Sequence, residues 1–315
     1  VARRGAPACR AGPGQDGGTA RERRLIMVLA FAVALATLGA LFIAVGSALQ
    51  ERVVAGTRAA AGQMRFVLSL ARHPRWLLGG VCAGVGVALH VLALSHGPVS
   101  IIQPVGTTGL LFAVVTKALL DRRGVRPAEL LGSTAIVLGL AGLLTALPHD
   151  PKDPTLSLAG ALALGSGTLL VTGVAALMAS TTDSSSAKAA LLAFAAGSAF
   201  GVGSALVGVI GHRALADPSA VLGWPTVVVL MLLACGALAQ QHAYRMRRFA
   251  LAFAVLLITD PVVAASVGVL VLGEPMPGTA AKAAWMGVSA TVVVAGVVAL
   301  ARSYAAASPS SVEEG

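Results

Sequence analysis

Phe249 to Leu272 reads FALAFAVLLITDPVVAASVGVLVL. These 24 residues carry one ionisable side chain, Asp260, and one proline, Pro261. A helix needs about 20 predominantly apolar residues to cross a bilayer, and in hydrocarbon its backbone groups must bond within the segment. The stretch has that length, and its aspartate lies near the centre. It reads as a membrane-spanning helix. Eight further stretches of the same kind follow by inspection: roughly 25–48, 76–95, 99–120, 128–147, 157–179, 188–210, 220–242 and 280–301. The fold class expected is therefore all-α and polytopic, with about nine transmembrane helices.

Composition agrees. Hydrophobic residues make up 57% of the 315 and charged residues 11%, against about 25% charged in a soluble domain. Mean hydropathy is +0.85. A soluble globule of this length cannot hide that much apolar surface, which excludes soluble enzymes and disordered proteins. The net charge of +10 sits in short runs between apolar stretches, so no nucleic-acid partner is expected. Aromatic residues at 4% are too few for the girdles of an outer-membrane barrel. Cys9, Cys82 and Cys235 have no ligand spacing, so neither a zinc site nor a disulfide framework is read.

Connections between spans are short and leave no room for a soluble domain. Residues 1–24 read as a disordered basic tail, and either Val1 or Met27 serves as the start. Residues 25–147 form a first helical unit, 157–301 a second, and 302–315 a disordered tail. Within the first unit, Glu51, Arg58, Arg65 and Arg72 recur every seven residues. With Val54, Ala61, Phe66, Leu68 and Leu70 they predict an interfacial helix over 51–75. Glu51 is expected to pair with Arg52, and Lys117 to snorkel to the interface. The Lys/Arg count sets the orientation. With the N-terminus outside, thirteen such residues fall inside, from Arg52 to Arg302, and three outside: Lys152, Arg213 and Lys282. The chain is thus expected in a bacterial cell membrane, N-terminus out and C-terminus cytoplasmic.

The two units match weakly at a constant offset. Val45-Gly46-Ser47-Ala48-Leu49 recurs 157 residues later as Val202-Gly203-Ser204-Ala205-Leu206. At that offset Gly79 meets Gly236, Pro104-Val105 meets Pro261-Val262, and Gly139 meets Gly296. The displacement is five spans, an odd number, so the units have opposite orientation. Inverted-topology repeats are an architecture of secondary transporters, with the site at the repeat interface.

The sequence here resembles the drug/metabolite transporter superfamily (EamA-like). The resemblance rests on Gly46-Ser47 and Leu49-Gln50-Glu51-Arg52 after the first span, Trp76 opening the second, and Gln103-Pro104 leading to Leu111-Phe112. In the second unit it rests on Gln240 to Arg245, Asp260 to Ala264, and Gly268 to Glu274. It covers about residues 25–301. Nine spans instead of ten, with a polar stretch in place of one, is similar to the NIPA-type magnesium-transporter branch and to Ala/Val/Leu-rich actinobacterial membrane proteins. The first unit departs from the second: Lys117 stands at the offset position of Glu274. The resemblance implies transport of a small solute, an organic metabolite or a Mg²⁺-like cation, with protons as a coupling ion.

Asp260 is the leading binding candidate. A carboxylate at bilayer depth costs about 2.5–3.5 kcal/mol, so it should face the protein interior or a wet cavity. Pro261 has no N–H, which leaves the carbonyl of Leu257 without its helical donor. Gln103, beside Pro104, is the repeat counterpart of Asp260, and an inverted repeat would bring the two toward one site. His90 in the second span is a proton acceptor or a partner for Asp260. Gln240 and Gln241 end the seventh span and would line a cytoplasmic entrance. Glu274, at the outer end of the eighth span, would be a gate, an extracellular cation contact or a solvated cap. No metal ligand set is legible, and no cofactor is expected. No Walker sequence is present, so ATP hydrolysis is not expected. An intramembrane aspartyl protease needs paired carboxylates, and one lies at mid-span. A non-transporting scaffold is the remaining alternative. A homodimer stays open.

Overall fold

The structure is a computed structural model that describes residues 16–57, 63–146, 156–271 and 279–305. Among these residues nine helices are long and apolar enough to cross a membrane. The helices are α1 (Asp16–Gly56), α2 (Gln63–Ala71), α3 (Pro74–His96), α4 (Val99–Thr107), α5 (Gly109–Leu120), α6 (Pro127–Ala146), α7 (Leu158–Thr181), α8 (Ser185–Ala216), α9 (Trp224–Arg245), α10 (Phe249–Leu270) and α11 (Ala280–Ala305). The protein is an all-α polytopic membrane protein.

Helix ends follow the local chemistry. Pro74 opens α3, where its missing N–H costs nothing. Ser157 caps α7 by accepting from Gly160 N at 3.1 Å, and Ser184 caps α8 by accepting from Ala187 N at 3.3 Å. The third span is divided. α4 ends at Thr107 and α5 starts at Gly109, with Thr108 between them at φ −60° and ψ −15°. This break falls one turn after Pro104. α10 instead runs unbroken through Pro261.

Two regions differ from the sequence expectation. The first helix begins at Asp16, inside the tail expected to be disordered, and continues to Gly56. Residues 51–75 are therefore not one interfacial helix. Glu51 and Val54 are buried within the bundle, whereas Arg65 and Arg72 are exposed on or beside the short α2. The seven-residue spacing puts charges at one angle on a continuous helix, but α1 ends at Gly56 and α2 begins at Gln63, and Arg58 and Ala61 lie outside the described residues. Phe66 and Leu70 of α2 do reach the core, and Leu68 is exposed.

The packing carries an antiparallel two-fold relation. A Cβ on Gly132 of α6 would lie 3.0 Å from Gly296 O of α11, and one on Gly139 would lie 2.8 Å from Ser289 O. Adding 157 to Gly132 and Gly139 gives Ser289 and Gly296. Each contact is thus the image of the other, and the two helices run in opposite directions. Trp285 Nε1 seals the pair by donating to Gly142 O at 3.0 Å. The neighbours repeat the relation, since α1 packs on α3 as α8 packs on α9, and on α4 and α5 as α8 packs on α10. α7 packs on α8 and α9. The largest core cluster, with Phe66, Tyr244, Phe249 and Phe253, lies at the arginine-rich end of the bundle.

Candidate functional site

Asp260 stands halfway along α10, against α8. The contact is close because α8 presents glycines there. A Cβ on Gly201 would lie 2.5 Å from Asp260 O, and one on Gly197 would lie 2.6 Å from Thr259 Cβ. With backbones this near, Ser204, one turn further along α8, comes close enough to the Asp260 carboxyl to interact with it. The Ser204 hydroxyl also reaches Gly201 O at 2.9 Å. A mid-span carboxylate, a hydroxyl and the carbonyl of Leu257 that Pro261 leaves without its helical donor form an anionic, acceptor-rich patch. Such a patch suits a proton, a metal cation or an ammonium group.

Ser204 is the group that meets Asp260; the sequence reading placed Gln103 and His90 in that role. Gln103 and Pro104 are half-buried on α4, which packs on α6 and α1, whereas α10 packs chiefly on α8. His90 lies on α3 with its ring against Gly106 of α4, where a built Cβ would be 2.7 Å from His90 Cε1. Glu274 lies outside the described residues. Among the described residues no three His, Cys, Asp or Glu side chains gather as metal ligands. An apolar cavity of about 320 Å³ adjoins Pro261 on the side of α6 and α11, lined by Leu140, Leu144, Ser266 and Met286 among others.

The arginine-rich end holds a second polar assembly. On α1, Ser47, Gln50 and Glu51 fall on adjacent turns, and all are buried. Gln241 of α9 donates to Gln50 Oε1 at 3.3 Å and accepts from Trp76 Nε1 of α3 at 3.1 Å. The Tyr244 hydroxyl, fully buried, bonds Ser47 and accepts from Gln240 Nε2 at 2.8 Å. Arg247 Nη2 donates to Ala55 O at 3.1 Å. These bonds tie α9 of the second unit to α1 and α3 of the first. Gln241 thus joins the two units in this conformation, and Gln240 braces Tyr244 within α9; the sequence reading had both lining an entrance.

Two further expectations are corrected here. Glu51 pairs with Lys117 of α5, at 2.5 Å, and Lys117 also reaches Asp121 at 3.1 Å. Lys117 therefore turns inward and does not snorkel to the interface. Arg52 is exposed and donates to Leu120 O. The physical reason is helix continuity: since α1 does not end near residue 48, Glu51 is carried into the bundle and needs a cation there. Glu129 was missed altogether. It is fully buried at the start of α6 and bound by Arg123 at 2.7 and 2.9 Å. A glutamate in the first turn after Pro127 was the available signal.

One relative matches along most of its length. "Uncharacterized protein Cgl0250/cg0304" of Corynebacterium glutamicum is 26% identical over 287 residues, covering 86% of this chain and 94% of that protein. No family model matches the chain, and no solved structure does.

Proposed function

We propose that this protein is a secondary transporter of the bacterial cell membrane that moves a small solute by alternating access. The observation that carries the reading is Asp260 at mid-span, beside a proline and on a helix that packs closely on the glycines of α8. A buried ionisable group inside a membrane bundle is costly and is a functional site by default. The antiparallel relation of α6 and α11 supports it, because inverted units give two equivalent arrangements about a central site. The resemblance to the drug/metabolite transporter superfamily, and to its NIPA-type branch, points the same way.

The orientation proposed is N-terminus out and C-terminus in, which puts the arginine-rich end in the cytoplasm. The seam of Gln50, Trp76, Gln241, Ser47 and Tyr244 then closes the cytoplasmic side. Opening it requires α9 to leave α1 and α3, whereas the Glu51–Lys117 pair lies within the first unit and moves with it. The solute class is cationic: a Mg²⁺-like ion, or an organic metabolite bearing an amine, with the proton as coupling ion at Asp260. A hydrated Mg²⁺ keeps several waters and needs few protein oxygens.

The test is flux into proteoliposomes with an internal Mg²⁺ dye, with and without a pH gradient, for the wild type and Asp260→Asn. Flux that the variant lacks is the expected result. A folded wild type without flux of Mg²⁺ or of an amine panel would refute the reading and favour a scaffold.

A further inference from the structure

The end of α1 and the start of α3 border a cavity of about 280 Å³ at the arginine-rich end. Arg52, His73 and Arg75 line it, with Thr57 and the apolar Leu49 and Val53. No acidic side chain is among its lining residues. The carboxylates nearby are engaged elsewhere, since Lys117 holds both Glu51, at 2.5 Å, and Asp121, at 3.1 Å. The contrast with the rest of this end is plain: Lys117 and Arg123 are matched by carboxylates, and the cations of this cavity are not.

Three features make the cavity attractive to an anion. Among the described residues the side chains of His73 and Arg75 have no hydrogen-bond or ion-pair partner. Arg52 donates from Nη1 to Leu120 O, which steadies the guanidinium but leaves its charge uncompensated, because a carbonyl carries none. The carbonyls that end α1, which would repel an anion, are already occupied: Val53 O accepts from Thr57 Oγ1 at 2.8 Å, Val54 O from Thr57 N at 3.1 Å, and Ala55 O from Arg247 at 3.1 Å. Guanidinium groups match phosphate oxygens in a two-bond geometry, and basic pockets between helices at a membrane surface take phosphate head groups.

The surface beside the cavity favours a lipid over a free ion. Leu78 is the neighbour of Arg75 on the α3 surface, three residues on, and Leu77, Leu78 and Val81 are all exposed. Acyl chains lying along this apolar strip would leave their head group at Arg75. We infer that the cavity binds the phosphate head group of an anionic phospholipid. The site lies at the ends of α1 and α3, apart from Asp260 on α10, and does not depend on the transport reading.

The test uses the full chain in detergent, with native mass spectrometry and thermal melting as readouts. Phosphatidylglycerol, phosphatidylcholine and inorganic phosphate are the probes. Arg52→Gln/Arg75→Gln removes two charges from the cavity, and Arg52→Lys/Arg75→Lys keeps them. Arg126→Gln/Arg302→Gln removes two charges from exposed positions beside α6 and on α11. The wild type is expected to bind phosphatidylglycerol in preference to phosphatidylcholine. The glutamine variant should bind it about 30-fold more weakly, and the lysine variant and the control should keep most of the affinity. Equal binding by the wild type and the glutamine variant would overturn the site, as would an equal loss in the control, which would reduce the effect to overall charge. A melting shift with inorganic phosphate that matches the lipid's, and that the glutamine variant lacks, would overturn the lipid assignment in favour of a free anion. Should the double variant fail to fold, Arg75→Gln decides, because that side chain has no partner to lose: about a 5-fold weakening supports the site and none overturns it.

Discussion

Lys117→Met isolates the cost of a buried charge in this bundle. The Glu51 side chain is 1% accessible and Lys117 is 14% accessible, with 2.5 Å between them. Surface pairs contribute up to about 1 kcal/mol, whereas removing one partner of a buried pair costs about 3–5 kcal/mol by stranding the other. Asp121, the second contact of Lys117, is 32% accessible and keeps access to water, so its loss adds little. Glu51 has no such escape. The expected penalty is therefore at the buried-pair level, a fall in melting temperature of order 10 °C. Glu51→Leu should fall similarly, by leaving Lys117 without its closest anion. The double variant Glu51→Leu/Lys117→Met should recover most of the loss, because two apolar side chains replace two buried charges. The assay is thermal melting in one detergent, with the four proteins forming a double-mutant cycle. Additive losses, or a Lys117→Met protein as stable as the wild type, would refute the burial argument.

Three other outcomes follow from the geometry. Gly201→Leu should force α8 from α10, because even a Cβ would stand 2.5 Å from Asp260 O; a loss of about 1–3 kcal/mol or more and loss of flux are expected, whereas Gly208→Ala, with nothing within 4 Å, should be neutral by melting. Gln241→Leu removes the bonds to Gln50 and Trp76, so a cysteine placed at buried Ser47 should react faster with an impermeant maleimide from the arginine-rich side; an unchanged rate would count against the seam. Glu129→Gln should cost about 1–3 kcal/mol in melting by weakening the two-bond contact from Arg123, with Arg123→Lys showing part of the same loss.

Helix number and approximate limits were legible in the sequence because the bilayer sets a minimum apolar length, and Phe249 to Leu272 meets it without neighbours. The Gly139–Gly296 match was legible as well, and it proves to be half of a real contact pattern. What the sequence hid was partnership. Glu51 and Lys117 are 66 residues apart, and Gln50 and Gln241 are 191 apart, so only packing reveals that they meet. The heptad spacing from Glu51 to Arg72 misled because a period has structural meaning only while the helix is continuous. Ser204 was visible as part of a repeated pentapeptide, yet its role depends on Gly197 and Gly201 drawing α10 close, a relation no local pattern encodes.

The two-fold relation also shows where the units part company. Ser47 and Ser204 are repeat counterparts, but Ser47 meets Tyr244 at the arginine-rich end and Ser204 lies close to Asp260 at mid-span. Pro104 and Pro261 are counterparts, but the helix breaks only after Pro104. Had the halves stayed identical, Gln103 and Asp260 would have equal surroundings and each unit would carry the same half-site. Instead the second unit keeps an intact helix with a carboxylate against α8, and the first keeps a jointed helix against α1. A jointed helix bends at lower cost than a continuous one, and Thr108, though still right-handed helical at φ −60° and ψ −15°, separates α4 from α5. On the transport reading proposed above, this asymmetry puts the mid-span charge on the continuous α10 and assigns the change of shape to α4–α5.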